Sequence, residues 1–173
     1  MPEDAYIAIG SNIEPEHYLP RAVEALGRVG TVLAVSTPYQ NAAVGSRPQP
    51  DFINAVARIR TTLAPVEIRD VLRAIEAELG RTRTDDRYAP RTIDLDLCLY
   101  GSQIIQAADL TLPHPDILTR PHVAVPLAEL APHMPHPVTG EPLSRIAERL
   151  RSQTRLTPRL DARPTAPAPD GTR

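Results

Sequence analysis

At 173 residues the chain is long enough for one domain with a full core and short for two. Its formal charge of −2 provides no overall field to recruit nucleic acid or an anionic membrane. All 19 basic residues are arginine, which excludes a P-loop lysine and a lysine Schiff base, and the one cysteine, Cys98, excludes an internal disulfide and a multi-cysteine zinc site.

Residues 6–9 read as a short strand stopped by Gly10-Ser11-Asn12. A helix is predicted near residues 17–26, where Leu19, Ala22, Val23 and Leu26 recur at helical spacing and Pro20 fits only a first turn. Gly27 and Gly30 end it, and the β-branched residues of 29–36 predict a second strand. Residues 38–50 carry turn formers without a period and read as a loop. Residues 52–59 alternate as a strand, with Phe52, Asn54, Val56 and Arg58 on one face and Ile53, Ala55, Ala57 and Ile59 on the other. The clearest helix starts at Pro65 and carries the stripe Ile68, Val71, Leu72, Ile75 and Leu79 up to Gly80. A strand over 92–100 follows, then a turn at Gly101-Ser102, a short strand at 103–105, and short helices at 125–130 and 144–150.

The order β-α-β-β-α-β with C-terminal additions predicts the α/β class, as a ferredoxin-like α+β sandwich: a mainly antiparallel sheet with two helices on one side. Residues 1–157 read as a single domain and 158–173, rich in Pro and Ala, as a disordered tail. The first residues lack a basic segment followed by an apolar core, and no stretch approaches the roughly 20 apolar residues of a membrane span, so a soluble cytoplasmic protein is expected. No apolar heptad is visible, and a monomer is expected. Cys98, within the apolar run LDLCLY, reads as an inert buried thiol.

The segment 81–96, RTRTDDRYAPRTIDLD, carries the chemistry. Asp94 and Asp96 lie two apart on a strand, so both carboxylates project one way while Ile93, Leu95 and Leu97 face a core. Two carboxylates on one rim suit Mg²⁺, a hard cation shared with substrate phosphates. Arg81, Arg83, Arg87 and Arg91 beside them point to an anionic substrate, because the guanidinium fork matches phosphate oxygens.

These residues give the chain its resemblance. The segment RYAPRTIDLDLCLYG at 87–101, with YIAIGSN at 6–12, QPDFINAV at 49–56 and LPHPDILTRPHVAVPL at 112–127, resembles the 6-hydroxymethyl-7,8-dihydropterin pyrophosphokinase family over roughly residues 5–150. The resemblance implies a ferredoxin-like fold with a pterin pocket beside an ATP site. It implies transfer of the terminal pyrophosphate of ATP to the hydroxymethyl oxygen of the pterin, releasing AMP, for folate synthesis. By resemblance, Asp94 and Asp96 hold two Mg²⁺ ions, and Arg81 and Arg91 contact ATP phosphates. Arg83, Arg87 and Tyr88 belong to a mobile loop that closes over the reactants and excludes water; the position of Tyr88 is often Trp in the family. Glu76, Leu97, Thr111, His114 and Arg120 are implied on the nucleotide side. Asn41, Ala42, Val44, Phe52, Asn54, Asp94 and His122 are implied around the pterin, with Asn54 bonding the ring edge and Phe52 forming one wall.

Two departures from the family stand out. The wall opposite Phe52 is often Phe, and here it is His122, which stacks with less apolar area and titrates near neutrality in water. The loop after Tyr39 commonly carries Thr-Pro, and here it reads Gln40-Asn41-Ala42 without the stiffening proline. Gly10 and Asn12 are expected to shape backbone, and Asn12 to support the pterin indirectly. No residue stands out as a proton acceptor. Other readings stay open: a Mg-ATP diphosphotransferase with a different alcohol acceptor, or a non-catalytic nucleotide-binding protein. A zinc site at His122, His133 and His136 is disfavoured by their spacing, and a nucleic-acid interface by the single Phe, the absence of Trp and the balanced charge.

Overall fold

The computed structural model describes residues 1–45, 47–82 and 84–167. Its centre is a six-stranded sheet built from β1 (Glu3–Ser11), β2 (Thr31–Val35), β3 (Tyr39–Asn41), β4 (Phe52–Thr61), β5 (Asp94–Tyr100) and β8 (Thr157–Pro158). The spatial order is β5-β1-β4-β3-β8, with β2 also on β4, and every pairing is antiparallel. β2 and β3 lie end to end along one edge of β4. The ladder is bridged between them by Ser36, whose N–H donates to the Val56 carbonyl at 2.8 Å while its hydroxyl accepts the Val56 N–H at 2.9 Å. β3 corrects the reading of 38–50 as loop throughout: three residues between Pro38 and a turn-rich stretch carry no period, and only pairing with β4 makes them a strand.

Helices cover both faces. α1 (Pro15–Ala25) and α2 (Pro65–Glu78) pack on one, where Ile7, Ile9, Ile53 and Ile59 meet Leu19, Ile68 and Ile75. This is the face predicted for the odd-numbered residues of β4. α3 (Pro121–Leu130) and α4 (Leu143–Leu150) cover the other, where Tyr6, Val56 and Leu99 meet Val123, Leu127 and Ile146. The expected two helices on one side are therefore half of the helical cover. A hairpin of β6 (Ile105–Ala107) and β7 (Leu110–Leu112) stands apart from the main sheet. No helix among the described residues is long and apolar enough to cross a membrane.

Three local features differ from expectation. α1 begins at Pro15, after Glu14 at φ 43°, so Pro20 lies inside the helix and not in its first turn. Pro20 and Glu16, whose carbonyl loses its helical donor at Pro20, are both exposed residues. β5 carries one extra residue against β1: Tyr6 faces Leu99 and Ile7 faces Leu97, so Cys98 is a bulge. The alternation resets there, and Leu99 turns to the α3/α4 core although Leu95 and Leu97 face the α1/α2 core. Finally, the segment expected as tail from residue 158 is folded as far as 167. Thr157 and Pro158 pair with β3, Leu160–Ala162 form a 3-10 turn, and Ala162 is buried in the α1/α2 core. Pro and Ala composition indicates little apolar area to bury, but small residues fit a shallow gap without needing much. Residues 168–173 lie outside the described chain.

Candidate active site

The site forms where three strand ends meet. In the antiparallel register Gly10 stands opposite Asn54 of β4 on one side and Asp94 of β5 on the other, and Ala8 stands opposite Val56 and Asp96. Small residues at 8 and 10 leave the sheet surface open between the amide and the carboxylates. Glycine is needed at 10 to admit the Asn54 amide: a Cβ there would lie 2.6 Å from Asn54 Oδ1.

Both carboxylates project from the face of β5 expected from their spacing, while Ile93, Leu95 and Leu97 are buried opposite. Asp94 is held by two arginines: Arg81 Nη1 donates to Oδ1 at 2.8 Å and Arg91 Nη1 to Oδ2 at 3.0 Å. Arg81 Nη1 also donates to Glu76, which is 2% exposed. Glu76 in turn accepts the backbone N–H of Leu95 at 3.1 Å, fixing α2 to the start of β5. Glu76 thus anchors Arg81 and the strand, and it is not among the residues lining the two cavities of the site.

Asp96 has no arginine of its own among the described hydrogen bonds. Burial, then the negative charges of Asp94 and Glu76, push its carboxyl up to about 8, with Arg81 opposing. Asp96 is therefore held protonated at neutral pH, and ionising it calls for a compensating cation. Cys98 is buried below it, its thiol donating to the Asp96 carbonyl at 3.5 Å and pushed well above the ordinary range by burial, so it stays a protonated, inert group.

Two cavities share this wall. The smaller, about 180 Å³, is lined by Phe52, Asn54, Asn41, Ala42, Val44 and His122, with Tyr88 and Arg120 at its margin. The larger, about 610 Å³, is lined by Arg69, Arg73, Arg81, Leu97 and Thr111. Asp94, Asp96, Arg87, Arg91, His114 and Asp116 line both. In the smaller cavity Asn54 Nδ2 donates to Asn41 Oδ1 at 2.7 Å, aligning two amides on one side. Burial lowers the His122 pKa, with the neighbouring positive charge of Arg120 acting the same way, so the ring is a neutral wall at neutral pH. His114 Nδ1 accepts the Asp116 N–H at 3.1 Å, which leaves Nε2 as the protonated nitrogen, and its own N–H donates to the Cys98 carbonyl at 2.9 Å.

Asn12 joins the loops around these cavities. It exchanges hydrogen bonds with the Arg91 backbone, N–H to carbonyl at 3.2 Å and Oδ1 from N–H at 2.9 Å. Its Nδ2 donates to Gln49 Oε1 at 2.7 Å, and Gln49 Nε2 donates to the Tyr88 carbonyl at 2.8 Å. Arg47 pairs with Asp86 at 2.6 Å, and the Tyr88 ring lies against Gly45, where a Cβ would come within 3.3 Å of it. The arginine-rich loop thus rests on the 42–50 loop across the mouth of the smaller cavity. Arg87 lies over the Tyr88 ring, 5.7 Å from its centroid.

The structure thus brings together the residues expected on the two sides, apart from Glu76, which stands behind Arg81, Arg120, which was expected on the nucleotide side and lines the smaller cavity instead, and Arg83, which lies outside the described residues. It adds Arg69 and Arg73, one turn apart on α2, and Asp116. The i, i+4 spacing of the two arginines was the available signal in the sequence. Among the described residues no three His, Cys, Asp or Glu side chains gather into a metal cage.

The pattern of the 7,8-dihydro-6-hydroxymethylpterin-pyrophosphokinase (HPPK) family matches residues 6–132. A 2-amino-4-hydroxy-6-hydroxymethyldihydropteridine pyrophosphokinase of Haemophilus influenzae is 45% identical over 130 residues, covering 73% of this chain and 81% of that one. Its namesake in Pseudomonas aeruginosa is 42% identical over 137 residues, covering 78% and 84%. Among solved structures, the wild-type HPPK-DHPS of Plasmodium falciparum superposes with a TM-score of 0.72 at 12% identity over 88% of this chain, a likeness of fold. This chain spans 44% of that longer one. With most of its folded part matched by the family pattern and by relatives of similar length, the chain belongs to the 7,8-dihydro-6-hydroxymethylpterin-pyrophosphokinase family.

Proposed function

We propose that this protein transfers the terminal diphosphate of ATP to the hydroxymethyl group of 6-hydroxymethyl-7,8-dihydropterin, releasing AMP, as a step of folate synthesis. The observation that carries the reading is the shared wall: Asp94 and Asp96 stand between an amide-and-ring cavity and an arginine-lined one. A planar heterocycle in the first and a polyphosphate in the second would bring the acceptor oxygen and the β-phosphorus together at the carboxylates. The oxygen attacks in line as its proton passes to water, and the bond to the AMP oxygen breaks on the opposite side. Positioning and charge stabilisation carry most of such a reaction.

The donor set fits Mg²⁺. Asp94 and Asp96 offer only hard oxygen ligands, a cation there would supply the compensation that favours the ionised Asp96, and substrate phosphates and water complete such a shell. When bound there, Mg²⁺ offsets charge on the transferring group. Arg81 and Arg91 neutralise Asp94 in the ligand-free site and have phosphates as alternative partners, so nucleotide binding exchanges one set of anions for another. Arg120 and His114 supply donors nearby. Tyr88 and Arg87 cover the mouth of the smaller cavity and restrict water. Counting β2 and β3 as one strand interrupted at Ser36, the sheet order supports a ferredoxin-like arrangement. A monomer acting on soluble substrates in the cytoplasm is the accompanying reading.

AMP formation from Mg-ATP, measured with and without the pterin alcohol while the diphosphorylated pterin is followed by mass, tests the reading. Coupled, pterin-dependent appearance of both products is expected; nucleotide binding with neither product would refute it. The pocket wall has its own prediction. His122→Phe restores a larger apolar face opposite Phe52 and is expected to lower the acceptor KM by about threefold, in the range of an added aromatic contact. An unchanged or higher acceptor KM would remove His122 from the ring wall.

A further inference from the structure

We infer that Arg159, in the C-terminal strap beyond the family-matched residues, is a positioning residue for the acceptor, a reading that rests on the proposed function. Its backbone N–H donates to the Pro38 carbonyl at 2.8 Å, just before β3. Its Nη1 donates to Gln40 Oε1 at 2.7 Å, and its Nη2 to Glu16 Oε1 of α1 at 3.1 Å. Nε and Nη2 also hold Asp161 at 2.9 and 2.8 Å. Gln40 passes the connection on: its Nε2 donates to Asp51 Oδ2 at 2.9 Å, immediately before Phe52.

The neighbours of this chain of bonds are the acceptor residues. Gln40 and Asp51 flank Asn41 and Phe52, which face each other in the β3–β4 register, and Asn41 Oδ1 holds the Asn54 amide. Adjacent strand residues point to opposite sides, so Arg159 and Gln40 act from the back of the strand whose front carries Asn41. β3 has three residues and would be a bare edge without β8. The strap gives that edge a partner and ties it from outside through Arg159. An arginine suits the task because one planar fork reaches Gln40, Glu16 and Asp161 together, which a lysine ammonium does not reproduce.

The test uses the full chain and four variants, Arg159→Ala, Gln40→Ala, the double variant, and Asp161→Asn, with AMP formation measured against acceptor at saturating ATP and against ATP at saturating acceptor. Arg159→Ala is expected to raise the acceptor KM about fivefold, the effect of one lost hydrogen bond, with the ATP KM and kcat retained. The double variant should be no worse than the worse single variant, because both residues act along one path. Asp161→Asn, which leaves the Gln40 bond, should keep the wild-type acceptor KM. An Arg159→Ala protein with unchanged acceptor KM, or with both KM values raised alike as its thermal midpoint falls, overturns the inference and leaves the strap a clamp on stability. Wild-type protein that makes no pterin-dependent AMP refutes the functional reading itself, and the inference falls with it.

Discussion

An Asp96→Asn protein is expected to bind ATP and to turn over at least about 10³-fold more slowly than wild type, the scale on which removal of a charge-stabilising group acts at a transfer site. Asn has the shape of the carboxyl but cannot ionise against a bound cation, so the pocket keeps its form and loses one of its two anionic ligands. The same substitution distinguishes lost chemistry from lost structure. In the metal-free protein, burial and then the charges of Asp94 and Glu76 hold Asp96 protonated up to about pH 8. The unfolded chain gives up that proton near pH 4, the ordinary aspartate range. Between the two values the folded state binds more protons than the unfolded one, so stability falls as pH rises from about 4 to about 8 and levels off above it. Thermal unfolding in chelator should therefore show a falling midpoint across this window for wild type. Asp96→Asn should show a flatter profile and a higher midpoint at the alkaline end. A variant within tenfold of wild-type turnover, or one with the wild-type slope, would count against this account.

Glu76→Ala is the substitution expected to cost most stability, about 3 kcal/mol, because it removes one partner of a buried, hydrogen-bonded charge network. The carboxylate is 2% exposed and joins Arg81 to the Leu95 backbone. Its loss strands the Leu95 N–H and leaves Arg81 with Asp94 alone among these contacts. Glu76→Gln should be milder, since the amide oxygen still accepts from Leu95. Urea unfolding of the three proteins checks the order wild type, Gln, Ala. A deficit below about 1 kcal/mol for Ala would show that the start of β5 does not depend on this anchor.

Much of this arrangement is legible in the sequence where a period or a motif is local. The alternation in 52–59 correctly assigned Ile53 and Ile59 to one core and Asn54 to the other face. The spacing of Asp94 and Asp96 placed both on one wall, and the stripe of α2 was plain from Pro65 onward. What stayed hidden depends on partners distant in the chain. β3 exists through β4, and the strap exists through β3, so neither has a period of its own. Glu76 looks like any helical glutamate until Arg81 and Leu95 are folded onto it. The start of α1 is not legible from Pro20, because Pro15 takes the first-turn position that a proline suits.

The extra residue at Cys98 divides β5 into two lengths with separate obligations. The first, from Asp94 to Leu97, is tied in register to Gly10 through Ile7, and the second, Leu99 to Tyr100, to Tyr6 and Ala5. Because the phase of the strand is reset between them, a change in chain length beyond Tyr100 does not rotate the carboxylates off their wall. The exposed turn at Ser102, Gln103 and Ile104 is then a place where the chain tolerates grafted sequence, a reporter peptide or a tether, while the chemistry at the other end of the strand keeps its orientation.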